Sequence, residues 1–246
     1  MKPSERIEYI KKWIVDYCKS MAKKPDALVI GVSGGIDSSV TSTICAKTNI
    51  KTIVVSLPIK QNLQQHNLSL DHQDWLLKKY PNVKKYIISL DNVFESFEKT
   101  LNKFKNDLAL ANSRSRLRMM TLYQIAQSEN GIVVGTGNKV EDFGVGFYTK
   151  YGDGGVDISP IADCTKTQVW EMGKQLDILS KIIEAAPTDG LWNDNRSDEQ
   201  QLGLTYSQIE EAMSNKNSKY FSKYLSLREP NLHKMKPIPI CKFKND

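Results

Sequence analysis

Ala27-Leu28-Val29-Ile30-Gly31-Val32-Ser33-Gly34-Gly35-Ile36-Asp37-Ser38 is the stretch from which the fold is read. A run of four apolar residues ends in a turn of glycines and serines, and Ser39 to Lys47 then carries a helical pattern. A strand that turns sharply into a helix presents bare backbone N–H groups and the positive end of the helix dipole to whatever lies above it. Glycines let an anion approach without a Cβ clash, and the serine hydroxyls add donors. Phosphate is the natural occupant. Asp37 cannot sit on phosphate, because like charges repel, but it suits a magnesium ion beside it. The two common glycine fingerprints are excluded: no lysine follows Gly35 until Lys47, and Gly-x-Gly-x-x-Gly is absent.

Outward from that loop, strands and helical segments alternate. Thr52 to Leu57 is a β-branched run ended by Pro58, and a polar helical stretch reaches Tyr80 before the turn Pro81-Asn82. Lys85 to Leu90 reads as a third strand, and Val93, Phe97, Leu101 and Phe104 line one face of a helix. Arg114 to Glu129 forms another helix, and Gly131 to Gly135 a short fourth strand. This order predicts an α/β fold with a parallel sheet covered by helices on both faces. Ligands in such sheets lie beyond the carboxyl ends of the strands, so Gly31–Ser38, Ser56–Pro58 and Thr136–Asn138 are expected to converge on one crevice. From Thr165 onward the pattern is helical, ending in the tail Pro230 to Pro239. With no internal repeat and no break in composition, residues 1–246 read as one domain.

The chain has 246 residues, 40% of them apolar, enough to bury a full core. No apolar run reaches the roughly 18 residues that a membrane span needs. The amino-terminal segment, with Ile7, Ile10, Ile14, Tyr17 and Met21 at helical spacing, is an amphipathic helix and not a secretion signal. A cytoplasmic location and no membrane contact are expected. The four cysteines (Cys18, Cys45, Cys164 and Cys241) form no Cys-x-x-Cys pair and are read as packing residues. A net charge of +6 suits anionic substrates. Its lysines fall in short scattered clusters, not in a basic stripe interleaved with aromatics, so no nucleic acid is expected as a partner.

Ser33 to Ser38 resembles the Ser-Gly-Gly-x-Asp-Ser loop of the ATP pyrophosphatases, which cleave ATP between its α and β phosphates. Further motifs narrow the resemblance. They are Asn112-Ser113-Arg114-Ser115-Arg116, Gly135-Thr136-Gly137-Asn138 with Glu141, and Thr149-Lys150-Tyr151-Gly152-Asp153-Gly154. Lys166-Thr167-Gln168, Pro187-Thr188 with Leu191-Trp192, Asp198-Glu199 with Tyr206, and His233-Lys234 follow in order. Together they are similar to the ammonia-dependent NAD synthetase family over nearly the full chain. The resemblance implies a Rossmann-like sheet of the ATP pyrophosphatase type with a helical carboxyl-terminal part. It also implies ATP-dependent amidation of deamido-NAD by ammonia, giving NAD, AMP and pyrophosphate through an acyl-adenylate.

Position by position, the resemblance assigns Gly31, Val32, Ser33, Gly34, Gly35, Ile36, Asp37 and Ser38, with Thr136, Lys166 and Thr188, to ATP. Asp37 and Glu141 would bind Mg2+, and Asp37 and Lys166 would be catalytic. Arg116, Lys150, Asp157, His233 and Lys234 would contact deamido-NAD, and the chain would be a homodimer. Free ammonia is expected as the nitrogen source, because the chain leaves no room for a glutamine-hydrolysing domain. Two departures from the family stand out. Lys60 lies where many members have an arginine after the second strand, and Asn195-Arg196-Ser197 replaces a usual glutamine. The rival readings are another adenylating pyrophosphatase, GMP-synthetase-like or tRNA-modifying, and a nucleotide-binding module without turnover. The missing cysteine pairs speak against sulfur transfer.

Overall fold

The computed structural model describes residues 1–188 and 197–243. Leu191, Trp192, Asn195 and Arg196 lie outside the described residues. Helix α1 (Pro3–Ser20) leads into strand β1 (Ala27–Gly31), helix α2 (Ile36–Ala46), strand β2 (Lys51–Ser56) and helix α3 (Leu63–Lys79). Strand β3 (Val83–Ile87), helices α4 (Asp91–Thr100) and α5 (Asp107–Ser128) and strand β4 (Gly131–Val133) follow. A π-helical turn, Lys139–Val145, comes next. Helices α6 (Lys166–Gln175), α7 (Ser180–Ile183), α8 (Asp198–Leu202), α9 (Tyr206–Ser214), α10 (Phe221–Arg228) and α11 (Leu232–Met235) complete the described chain.

The sheet is parallel throughout, in the order β3-β2-β1-β4, with Ala27 level with Lys51 on one side and Gly131 on the other. Its central strand is apolar at every position because both faces are covered. Leu28 and Ile30 point into a core shared with α1, α2 and α6, among them Ile10, Ile14, Val40, Ile44, Val169 and Met172. Ala27 and Val29 point the other way, against Phe94, Met119, Leu122 and Ala126 of α4 and α5. Fully buried side chains of this size contribute about 1.5–3 kcal/mol each through removal from water. A third cluster joins the π-helical turn to α9 and α10 through Val140, Leu202, Tyr206, Ile209 and Tyr224.

Local chemistry sets the helix ends. Asn62 and Asn106 accept hydrogen bonds from Gln64 N (2.7 Å) and Ala109 N (3.0 Å), which starts α3 and α5. The Asn106 cap explains why α5 begins well before Arg114. Strand β3 ends at Ile87, short of the expected Leu90, because Leu90 is the cap of α4. In α1 the buried stripe is Ile7, Ile10, Ile14 and Cys18, with Tyr17 left on the surface.

Two further departures concern exposure. Cys18, Cys45 and Cys164 are buried, but Cys241 is exposed, so the packing reading is corrected for that residue: it lies in the tail beyond the last helix. Phe94 is the residue of α4 that enters the core; Val93, Phe97, Leu101 and Phe104 face outward. Among the described residues, no helix is long and apolar enough to cross a membrane.

Candidate active site

The loop after β1 is a knot of small polar groups. Ser33 Oγ lies 3.1 Å from Ser38 Oγ and accepts from Gly35 N (3.2 Å), while Ser38 Oγ donates to Gly35 O (3.0 Å). Gly35 caps α2, which places Asp37 and Ser38 in the first turn of that helix, three residues earlier than the pattern from Ser39 predicts. Gly34 adopts φ +90°, and a Cβ there would fall 2.6 Å from Ser69 N of α3. Only glycine fits. Ser69 Oγ also donates to Val32 O (2.6 Å), so α3 buttresses the loop from behind.

Three parts of the chain meet at Asp37. Lys166, the first residue of α6, donates to Asp37 Oδ2 (2.6 Å) and to Glu141 Oε1 (2.8 Å), and its side chain is 3% exposed. Thr165 and Gln168 form a reciprocal capping box that holds this helix start in place. Asn138, fully buried, donates to Asp37 Oδ1 (3.2 Å) while its Oδ1 accepts from Val140 N (2.9 Å) and Glu141 N (3.0 Å). It therefore caps the π-helical turn and aligns both carboxylates. Tyr206 donates to Glu141 Oε1 (2.6 Å) from the far side.

The electrostatics follow from burial. Burial alone would lower the Lys166 ammonium, but Asp37 and Glu141 outweigh it and hold the group charged far above its usual range. Burial pushes Glu141 up; Lys166 and the bonds from Tyr206 and Asn138 overcome this and leave it below its ordinary value. Asp37 stays above its ordinary value, because burial and repulsion from Glu141 exceed the pull of Lys166. Asp142, whose carboxyl fills the space where a Cβ on Gly137 would lie, is raised by burial and by Asp153, Glu141 and Asp37.

Two hard carboxylate oxygens gripping one cation suit a divalent metal that takes its remaining ligands from phosphate and water, as magnesium does. Among the described residues, no group of three or more His, Cys, Asp or Glu side chains could hold a metal alone.

A cavity of about 530 Å³ is walled by α5, the Tyr148–Val156 loop and the carboxyl-terminal tail. Arg116, Lys150 and Lys234 all line it. The wall is built by interlocking two of the sequence motifs. Asn112 Oδ1 accepts from Thr149 Oγ1 (2.6 Å), and Asp153 accepts from Ser115 Oγ (2.6 Å) and Thr149 N (3.0 Å). Arg116 Nε donates to Lys150 O (3.1 Å). Lys234 donates to Tyr148 O (2.7 Å) and Gly146 O, and burial lowers its affinity for the proton while Asp153 and Asp142 oppose that effect.

The remaining expected residues are dispersed. Asp157 is not in the cavity wall: one oxygen accepts from Val133 N (2.7 Å) and the other from Tyr123 OH (3.1 Å), and Tyr123 is the wall residue. His233 is exposed, with Nδ1 3.0 Å from Pro230 O. Thr136 is half-buried at the end of β4, and Thr188 half-buried after α7. Lys60 pairs with Glu98 (2.8 Å) on the surface. Arg118 donates to Leu57 O (2.9 Å) and Arg114 lies 5.6 Å from the centre of the Phe94 ring, both packing roles.

Asn138 and Tyr206 carry no role in the sequence reading, although both stand in its motifs. An asparagine directly before a helical turn is a cap signal, and it was legible. The reach of Tyr206 across to Glu141 was not.

Residues 6–237 match the model of the NAD synthase family. The NH(3)-dependent NAD(+) synthetase of Carboxydothermus hydrogenoformans is 36% identical over 212 residues, 84% of this chain and 83% of that protein. The solved NMN synthetase of Francisella tularensis is 33% identical, with a TM-score of 0.90 over 99% of this chain and 100% of that one. An NH3-dependent NAD synthetase from Campylobacter jejuni is 22% identical with a TM-score of 0.79, covering 98% of this chain and 100% of its own, and attests the fold.

Proposed function

The chain belongs to the NAD synthase family, and from that premise we propose that it amidates deamido-NAD with ammonia, consuming ATP and releasing NAD, AMP and pyrophosphate. A carboxylate is a poor acyl donor, since its charge repels nucleophiles and oxide does not leave. The nicotinate carboxylate therefore attacks the α-phosphorus of ATP and expels pyrophosphate. Ammonia then attacks the acyl carbon of the adenylate and AMP departs.

The observation that carries this reading is the Lys166 ammonium gripped by Asp37 and Glu141 at the mouth of the Ser33–Ser38 loop. Negative charge grows on the leaving pyrophosphate, and preorganised donors aimed at it are worth most in a dry site. The loop N–H groups, Ser33 and Ser38 cradle the phosphates, with Thr136 and Thr188 at the rim. Asp37 and Glu141 would hold Mg2+, which when bound would neutralise phosphate charge. Lys166 supplies the fixed positive charge at the transferred phosphorus. Arg116, Lys150 and Lys234 take the anionic dinucleotide in the cavity, and His233 and Asp157, outside its wall, are read as further contacts to it.

A homodimer fits the outward apolar side chains of α4 and its following turn, where Phe97 is 40% and Phe104 78% exposed. Met120 and Tyr123 of α5 are exposed as well as lining the cavity, and the dinucleotide site is read as lying near the subunit interface. We read the chain as one catalytic unit working in the cytoplasm, where ATP and its other substrates are found.

The test is a product assay with ATP, deamido-NAD and ammonium. NAD, AMP and pyrophosphate are expected in equal amounts, and Asp37→Ala abolishes them in a folded protein; ADP as the product would reject the reading. A second reading has one specific support: the 33% identity and 0.90 TM-score to an NMN synthetase exceed the corresponding values for the Campylobacter enzyme. On that reading nicotinate mononucleotide is the preferred carboxylate, accepting the adenylyl group of ATP and then passing its acyl group to ammonia. Comparing kcat/KM for the two substrates decides between them.

A further inference from the structure

We propose that Tyr206 is a positioning residue for the Glu141 carboxylate, fixing it in the rotamer from which it binds the nucleotide-linked metal. This rests on the metal reading of Asp37 and Glu141.

Tyr206 is among the largest fully buried side chains, 2% exposed, and opens α9 directly after the Thr205 cap. Both of its ends are pinned. Its backbone N donates to Glu199 Oε1 (2.9 Å), and its ring meets Trp170 edge-on at 5.7 Å. Its hydroxyl lies 2.6 Å from Glu141 Oε1 and 3.1 Å from Asp198 Oδ2. A phenol has one proton to give, and the shorter contact assigns it to Glu141. Glu141 Oε1 thus receives two donors, Tyr206 and Lys166, and its backbone N is held by Asn138. Lys166 must also serve Asp37 and any phosphate above it, so its grip on Glu141 changes when nucleotide binds. Among the described residues, Tyr206 is the donor to that oxygen that does not also bond Asp37. Groups in this position orient a metal ligand, and their loss costs about 10- to 100-fold in metal affinity.

The probe is Mn2+ with α,β-methylene-ATP, read by electron paramagnetic resonance as enzyme-bound metal. Tyr206→Phe keeps the ring and removes one oxygen. It should weaken Mn2+ binding about tenfold and raise the Mg2+ concentration for half-maximal activity to the same degree. Turnover at saturating Mg2+ and binding of metal-free nucleotide should stay near wild type. Tyr206→4-aminophenylalanine, which retains a donor at the same place, should restore the affinity, and Asp198→Asn should leave it unchanged. Wild-type metal affinity in Tyr206→Phe, or activity lost equally at every Mg2+ concentration, overturns the role; so does failure of 4-aminophenylalanine to rescue. If the wild-type protein itself holds no Mn2+, the metal reading falls and this inference with it.

Discussion

The ammonium of Lys166 stands 2.6 Å from Asp37 Oδ2 although 129 residues separate the two in the chain. One lysine at the start of α6 is thus the counter-charge for a helix that begins at the far end of the molecule's sequence, and for Glu141 as well. Lys166→Met keeps most of the stem and deletes the buried charge, leaving two half-buried carboxylates facing each other. Removing one partner of a buried pair costs about 3–5 kcal/mol. Urea unfolding should show a loss of that order, and NAD formation should fall about 100- to 1000-fold. Unchanged stability would mean the two acids are not held charged.

Gly34→Ala tests the loop. At φ +90° an alanine is strained, and its Cβ would strike backbone of α3 at Ser69 N and Gln65 O, 2.6 and 2.9 Å away. The strain alone is worth about 1–3 kcal/mol. Nucleotide affinity measured by calorimetry should drop with stability, because relief requires α3 or the loop to move.

His72 gives the fold a pH dependence of its own. It is fully buried with Nε2 3.0 Å from Ser42 Oγ, and burial pushes its pKa down to about 4 from 6.5, against a smaller raising effect of Ser39. The unfolded chain therefore takes up this proton first as pH falls. Stability contributed by the neutral ring is complete above about pH 6.5 and is lost towards pH 4, by about 3 kcal/mol. Denaturant midpoints measured between pH 7 and 4 should decline less steeply in His72→Gln. An identical slope would show that other groups set the acid limit.

Phe97→Glu places a charge on the outward face of α4 and removes a ring that stacks on Phe94, the core residue one turn away, at 6.2 Å between centroids, so circular dichroism must first show the variant folded. A dimer built on that face should dissociate. Sedimentation at micromolar concentration should show a monomer for the variant and a dimer for the unmodified chain, and a dimer in both would move the interface elsewhere.

Much of the fold was legible in order along the chain. Local rules governed it: an apolar run buried on both faces, and a glycine turn that only a tight strand-to-helix connection needs. The phosphate loop was legible for the same reason, since its donors are neighbours in sequence. The cap position of Asn138 is readable in the sequence; its bond to Asp37 is not, because Asp37 arrives from another strand end.

By itself, then, the amino-acid sequence determined the alternation of strands and helices, the loop geometry at Gly34 and the residue types of the site. Only the tertiary structure decided that Lys166 answers two acids, that Tyr206 reaches Glu141, that Asp157 ties Val133 and Tyr123 and stays out of the cavity wall, and that the apolar face of α4 turns outward. The reason is physical. Periodicity shows that a face is apolar but not what covers it, and a side chain's charge partner depends on which chain segments the sheet brings side by side.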